Sequence, residues 1–388
     1  MRIIFTALGG YGHAFPLIPL AVAARDAGHD VSFATAASFL PNIERAGITG
    51  LRAGITPQEA FMEELNQVEG DPRGLPPDAL HQITGRVFGE ILPRAVVADL
   101  EQVLAGRPDL VIYEMMNAGG AFAAKLAGIP SAGHNFGRVA EYDAGKEIRE
   151  RVRATAAEFG VEGELETAFG APVFDICPES VQSREFLATA KRIPLRPTGW
   201  STPGDLPVGI AGRDRSRPLA YLTLGTQYGN TTVLTEAITG LAALDLDVLV
   251  ATGPTVEVEL LGDVPDNVRL ERWVPQSELL PHLDLVVHHG GSGTTMGAFG
   301  AGLPQLFLPQ GADQLANAEA SVKAGVAAQL VDDELTAEAV TEKARALLTD
   351  TAVRDATRAL AKEVAAMPMP AEVVTTLPGY FQQGSRVR

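Results

Sequence analysis

Short apolar runs alternate with longer segments of helical spacing along the first 140 residues. "RIIFTAL" (residues 2–8) is a continuous apolar run of the kind that fills a strand buried on both faces. "GGYGHAF" reads as the turn after it. "PLIPLAVAARDAG" has Pro16 near its start and Gly28 at its end, the asymmetry expected of a helix. "DVSFATA" (30–36), "DLVIYE" (109–114) and "PSAGHNF" read as further strands, with a helix through "GGAFAAKLAG" between the last two. Strand–helix alternation of this kind predicts a parallel, doubly wound sheet. The rhythm weakens over residues 52–93 and 139–171, where amphipathic helical pieces are broken by Pro and Gly. Insertions on the carboxyl side of a sheet commonly build substrate pockets.

"PLRPTGWSTPGDLPVGIAGRDRSRP" (194–218) is rich in Pro, Gly and charge and reads as a linker. The alternation then restarts. "LAYLTLG", "DVLVATG", "VRLERWVP", "LDLVVHH", "PQLFLPQ" and "VAAQL" are expected strands. "TTVLTEAITGLAAL", "QSELLPH", "GTTMGAFGAG" and "DQLANAEASVKAG" are the helices between them. The expectation is an α/β chain of two Rossmann-like domains facing across a cleft. The first spans residues 1–200, a linker 201–217, the second domain 218–370, and a tail 371–388 returns to the first domain. A length of 388 residues fits about two domains.

Composition narrows the partners. Apolar residues make up 46% and charged residues 20% of the chain, a globular balance. The net charge of −17 argues against non-specific binding to nucleic acid and against attraction to an anionic membrane surface. An anionic ligand would have to be held locally, by helix ends and chosen donors. The single cysteine, Cys177, allows no intrachain disulfide and no cysteine-based zinc site, and its apolar neighbours suggest a buried, inert thiol. The N-terminal apolar run lacks an Ala-x-Ala cleavage site, and no run of ~18 apolar residues occurs. A cytoplasmic protein is expected.

One stretch carries most of the chemistry. In "LVVHHGGSGTTMGAF" (285–299) a strand ends in two histidines, then a glycine-rich turn opens a helix. Free amides at a helix N-terminus, with the positive end of its dipole, favour an anion. Gly290, Gly291 and Gly293 permit close approach, Ser292, Thr294 and Thr295 add hydroxyls, and His289 can donate from its ring. A plain tight turn is the competing reading, and no Gly-Lys-Ser/Thr follows to make a Walker loop. "LGTQYGN" (224–230) could be a second phosphate-facing turn or an ordinary one. Trp273 ends a strand ahead of a helix started by Pro275, so its indole could stack on a flat ring or fill a core. Asp313 is a natural helix N-cap, and Asp313-Gln314 could equally bind sugar hydroxyls. His13 lies in the first strand-to-helix turn, where a helix N-terminus disfavours an imidazolium. Glu114 ends a strand of the same sheet, and a carboxylate beside an imidazole fixes its tautomer. A capping histidine and an unrelated glutamate remain the plainer alternative.

Taken together, "GGYGHAFPLIPLAVAARDAGHDVSFAT", "RPDLVIYE" and "RWVPQSELLPHLDLVVHHGGSGTTMGAFGAGLPQLFLPQGADQLANA" resemble the GT-B glycosyltransferases of the nucleotide-sugar-dependent, inverting type. The actinobacterial enzymes that glycosylate polyketide, macrolide and enediyne antibiotics are the nearest group. The resemblance covers nearly the whole chain. It implies that Trp273 stacks on the pyrimidine, with Val274 and Gln276 nearby. His289 and the turn through Gly291, Ser292, Gly293 and Thr294 would hold the pyrophosphate, assisted by Thr226. Asp313 and Gln314 would hold the sugar hydroxyls, and His13 would deprotonate the acceptor. The family's partner carboxylate is an aspartate; here the matching residue is Glu114, one methylene longer.

The resemblance further implies transfer of a hexose or deoxyhexose from a TDP- or UDP-sugar to a hydroxyl of an apolar aglycone, in one displacement and without metal or other cofactor. "DLD" (245–247) has the letters of a metal-binding Asp-x-Asp but precedes a buried strand, so it reads as a loop. Rival readings are a GT-B nucleotide-sugar epimerase and a catalytically silent helper protein. A dinucleotide oxidoreductase fits less well, since "GGYGHAF" lacks the Gly-x-Gly-x-x-Gly spacing. The expected partners are the nucleotide sugar and the aglycone, with neither nucleic acid nor membrane insertion; a homodimer is left open.

Overall fold

The computed structural model describes residues 1–68, 74–139, 145–161, 170–202, 204–226, 229–254, 256 and 258–381. Parts of both insertions, the middle of the 224–230 turn and the end of the tail lie outside the described residues. The chain forms two compact units. One comprises residues 1–177, 183–200 and the chain from Pro368 onward; the other comprises 178–182 and 201–367.

The first unit is built on β1 (Arg2–Thr6), β2 (Asp30–Thr35), β3 (Thr49–Arg52), β4 (Leu110–Glu114), β5 (Ser131–His134), β6 (Val173–Asp175) and β7 (Arg192–Pro194). Their order is β3-β2-β1-β4-β5-β6-β7, and each pairing is parallel. Continuous apolar runs form the centre because helices cover both faces there. β4 is buried along its whole length. Phe5 and Phe33 are fully buried and stack across β1 and β2, centroids 6.2 Å apart. β3, β6 and β7 were not visible as strands in the sequence. They are three or four residues long, and β7 ends in a proline that only a sheet edge tolerates.

Helical winding after β1 begins at Tyr11, earlier than Pro16 suggested. Pro16 instead lies in a tight turn, Phe15–Leu17, that joins Tyr11–Ala14 to the helix Ile18–Asp26. Without an N–H the proline cannot continue the i→i−4 ladder, so the winding tightens there. The helical run from Pro77 to Ala105 is widened at its middle by a π-turn, Val87–Ile91. The Gly89 carbonyl in that turn accepts from Thr155 Oγ1 at 2.8 Å, on the helix Gly145–Glu158. The terminal helix Pro370–Phe381 packs on Ile18–Asp26 and buries Val373, Val374, Leu377 and Phe381. Cys177 is fully buried.

The second unit is built on β8 (Leu219–Thr223), β9 (Asp247–Ala251), β10 (Val268–Glu271), β11 (Leu285–His288), β12 (Gln305–Phe307) and β13 (Ala327–Gln329). The order is β10-β9-β8-β11-β12-β13, again all parallel. Much of the stretch read as a linker is docked onto this unit. The Arg213 guanidinium donates to Asp284 Oδ2 at 2.6 Å and to the His282 and Arg217 carbonyls. Ser201 Oγ bonds Ser277. Asp247 opens β9, at the amino end of the sheet, and Arg217 pairs with both Asp245 and Asp247. Among the described residues no helix is long and apolar enough to cross a membrane.

In both sheets the strand order reverses once, at β1/β4 and at β8/β11. Connections leaving the two strands diverge there, which opens a crevice at their carboxyl ends. Each sheet has a strand that ends in a fully buried histidine, His134 on β5 and His288 on β11. Burial pushes the imidazole of His134 down to about 4 and that of His288 down to about 3. Below the ordinary value of about 6.5 the unfolded chain takes up protons that these folded rings refuse. Stability should therefore fall as pH drops from about 6.5 towards 4, by about 1.4 kcal/mol per pH unit per histidine. Urea midpoints measured from pH 7 to pH 5 should decline; a flat series would contradict this assignment.

Candidate active site

In the first unit the crevice falls between the turn after β1 and the end of β4. Parallel pairing of the two strands brings His13 and Glu114 together across 101 residues of sequence. The His13 Nδ1–H donates to Glu114 Oε2 at 3.2 Å. Glu114 is fully buried, and its Oε1 accepts from the Met116 N–H at 2.5 Å. Both carboxylate oxygens are thus engaged, one by the imidazole and one by the backbone. Two phenylalanines flank the His13 ring: Phe136 edge-on at 5.7 Å and Phe88 at 6.2 Å. Phe88 belongs to the π-turn and touches Phe61 in turn. Irregular turns of this kind occur often at functional sites, where they re-aim a side chain.

In the second unit the crevice falls between the turns after β8 and β11. The helix Ser292–Ala301 starts with Gly291 as its N-cap, and no side chain caps it. Helix geometry leaves the amides of Ser292, Gly293 and Thr294 without intrahelical acceptors. The His289 ring lies against two glycines: a Cβ at Gly225 would sit 2.6 Å from its Cε1, and one at Gly291 2.5 Å from its Nε2. Gly225 also has φ +76°, a conformation side chains disfavour. Burial pushes the His289 imidazole down to about 4, and its Nδ1 has no partner among the described residues. Thr226 follows Gly225 in the same turn; Gln227 and Tyr228 lie outside the described residues.

The remaining predicted residues divide into exposed and committed groups. Trp273 is 47% exposed and so is no core tryptophan. Val274 beside it is buried in an apolar cluster. Gln276 Oε1 accepts from Thr294 Oγ1 at 3.0 Å, tying the Trp273 segment to the glycine-rich turn. Asp313 stands at a helix N-cap position but makes no capping bond. Its Oδ2 instead accepts from Ser292 Oγ at 2.8 Å and from Asn317 Nδ2 at 3.0 Å. Gln314 is buried, and its Oε1 accepts from the Gln310 and Gly311 amides at 2.7 and 3.2 Å. Among the described residues no group of three or more His, Cys, Asp or Glu side chains forms a metal-ligand set.

In sequence the chain is 35% identical to the L-demethylnoviosyl transferase of Streptomyces niveus, over 97% of each protein. The chain belongs to the antibiotic-tailoring GT-B glycosyltransferases. This glycosyltransferase is also 30% identical, over 98% of each protein, to the elloramycin glycosyltransferase ElmGT of Streptomyces olivaceus. Its residues 235–379 match the family described as erythromycin biosynthesis protein CIII-like, C-terminal domain. It is similar in fold to the solved glycosyltransferase VinC in complex with dTDP, with a TM-score of 0.79 and 26% identity over 99% of this chain and 100% of that one.

Several residues of the candidate site were not legible in the sequence. Asn317 joins the Gly290 carbonyl, Ser292 and Asp313 through one amide. Phe88 and Phe136 surround His13 from segments with no motif. Gly225 is needed both because His289 reaches across to it and because its φ is positive. Of these, Asn317 alone had a sequence signal: it follows Asp313 by one helical turn, so it shares that face.

The two neighbouring glycines should behave oppositely. Gly291→Ala would drive a methyl into the His289 ring and cost about 1–3 kcal/mol. Gly293→Ala meets nothing within 4 Å in a helix and should gain up to about 1 kcal/mol. Denaturant unfolding of both variants checks this; equal stabilities would show that the His289 ring is not held by Gly291.

Proposed function

We propose that this glycosyltransferase moves a hexose or deoxyhexose from a dTDP- or UDP-sugar to a hydroxyl of an apolar natural-product aglycone. Inversion at the anomeric carbon and independence from metal are part of the proposal. The observation that carries it is the 3.2 Å contact of His13 with the buried Glu114. A carboxylate on Nδ1 fixes the tautomer that leaves Nε2 to take a proton, and it stabilises the imidazolium that results. His13 is then the general base and Glu114 its positioning partner. The phenylalanines beside the ring suit a flat, apolar acceptor.

The second unit supplies the donor site in this reading. Trp273 stacks on the base, with Val274 and Gln276 at its edge. The open amides at the start of Ser292–Ala301, with His289 and Thr226, face the pyrophosphate. Asp313 and Gln314 address the sugar. dTDP in the related VinC supports a thymidine nucleotide. The acceptor oxygen attacks the anomeric carbon as the nucleoside diphosphate leaves, through an oxocarbenium-like transition state. One displacement inverts the configuration and needs no protein nucleophile. Charge growing on the leaving oxygen meets dipoles already aimed at it, the arrangement that makes electrostatic preorganisation effective. The first domain (1–200) would hold the acceptor and the second (218–370) the donor.

A thermal-shift screen of nucleoside diphosphates and their sugars, followed by acceptor profiling with the best donor, tests the reading as a whole. Given a working pair, His13→Ala should lower kcat by roughly 10²–10⁴-fold while dTDP affinity stays unchanged. Wild-type turnover in that variant would remove His13 as the base. Activity should persist in excess EDTA; loss that magnesium restores would overturn the metal-independent mechanism.

A further inference from the structure

β11 ends at His288 and His289 follows it, and the proposed reaction uses only His289. His288 is fully buried, with its ring packed on Phe307 at 4.5 Å between centroids. The Gly290 N–H donates to His288 Nδ1 at 3.2 Å, and His288 Nε2 lies 2.9 Å from Gln305 Oε1. A ring nitrogen that accepts carries no proton. The proton therefore sits on Nε2 and is donated to Gln305, which fixes the tautomer. Burial keeps the ring neutral, as accepting and donating together require.

The other side of Gly290 is held as firmly. Its carbonyl accepts from Asn317 Nδ2 at 3.0 Å. Its φ is +100°, and a Cβ there would stand 2.9 Å from the Gln314 carbonyl oxygen. The two peptide groups flanking Gly290 are thus each fixed by a buried side chain. The amides that follow are those of Gly291, Ser292 and Gly293.

We propose that His288 is a positioning residue for the donor pyrophosphate: its Nδ1 acceptor sets the Gly290 peptide and so aims the amides of the turn. This rests on the donor-site reading above. It differs from space-filling in a way that two substitutions separate. Asparagine places an amide oxygen near the Nδ1 position, whereas glutamine reaches the Nε2 position and leaves the Gly290 N–H unpaired.

With dTDP as the calorimetric probe, His288→Asn should bind within about threefold of wild type. His288→Gln should bind about tenfold more weakly, the usual effect of stranding a buried N–H. If the ring only fills space, the larger glutamine should be the better substitute. Equal affinities, or glutamine above asparagine, overturn the proposal. Gln305→Leu provides a second route should either variant fail to fold. It releases the tautomer lock, so dTDP affinity should fall several-fold, and unchanged affinity again overturns the role. A wild-type protein that binds neither dTDP nor UDP overturns the donor-site reading and this inference with it. Wild-type binding with unaffected variants overturns only the inference.

Discussion

The chemistry of this chain depends on one constraint of parallel sheets. Where the strand order reverses, the connections leaving two adjacent strands must part, and the carboxyl ends of those strands stay uncovered by chain. Each unit has one such place. In the first, it lets a histidine after β1 meet a glutamate at the end of β4. In the second, it lets the ring after β11 lie over the glycine after β8.

In the second unit most polar side chains of the site are already occupied. Thr294 bonds Gln276, Ser292 bonds Asp313, and the Gln314 oxygen braces a strand-to-helix turn. In the proposed donor site, direct recognition of the pyrophosphate thus falls to backbone amides, His289 and Thr226, with the other side chains acting as their scaffold. Such a site loses little entropy on binding, since its donors are ordered beforehand. An acidic chain with a net charge of −17 can hold an anion in this way because the favourable field is confined to one helix end.

The central strands and the glycine-rich turn were legible because each is a local pattern: a continuous apolar run, or glycines and hydroxyls opening a helix. The short strands β3, β6 and β7 were not, since three or four residues carry no period and their stability comes from a neighbour already in place. Asp313 illustrates the limit for a site residue. Its position announced a cap, and only the fold shows its carboxylate turned to Ser292 and Asn317 instead. Phe88 marks another limit, for its placement depends on a widened helical turn that no spacing in residues 77–105 foretells.

The order of the chain through the two units has a consequence for recombination between relatives. Residues 178–182 belong with the second unit, where the Ser180 N–H donates to Glu363 Oε1 at 3.0 Å. The chain from Pro368 returns to the first, where the Arg196 N–H donates to the Pro368 carbonyl at 2.8 Å. A hybrid enzyme spliced once near residue 200 would therefore carry a foreign terminal helix against its own Ile18–Asp26. Exchange of whole units needs four junctions, and Val373, Val374, Leu377 and Phe381 must travel with the half of the gene that encodes the first helix.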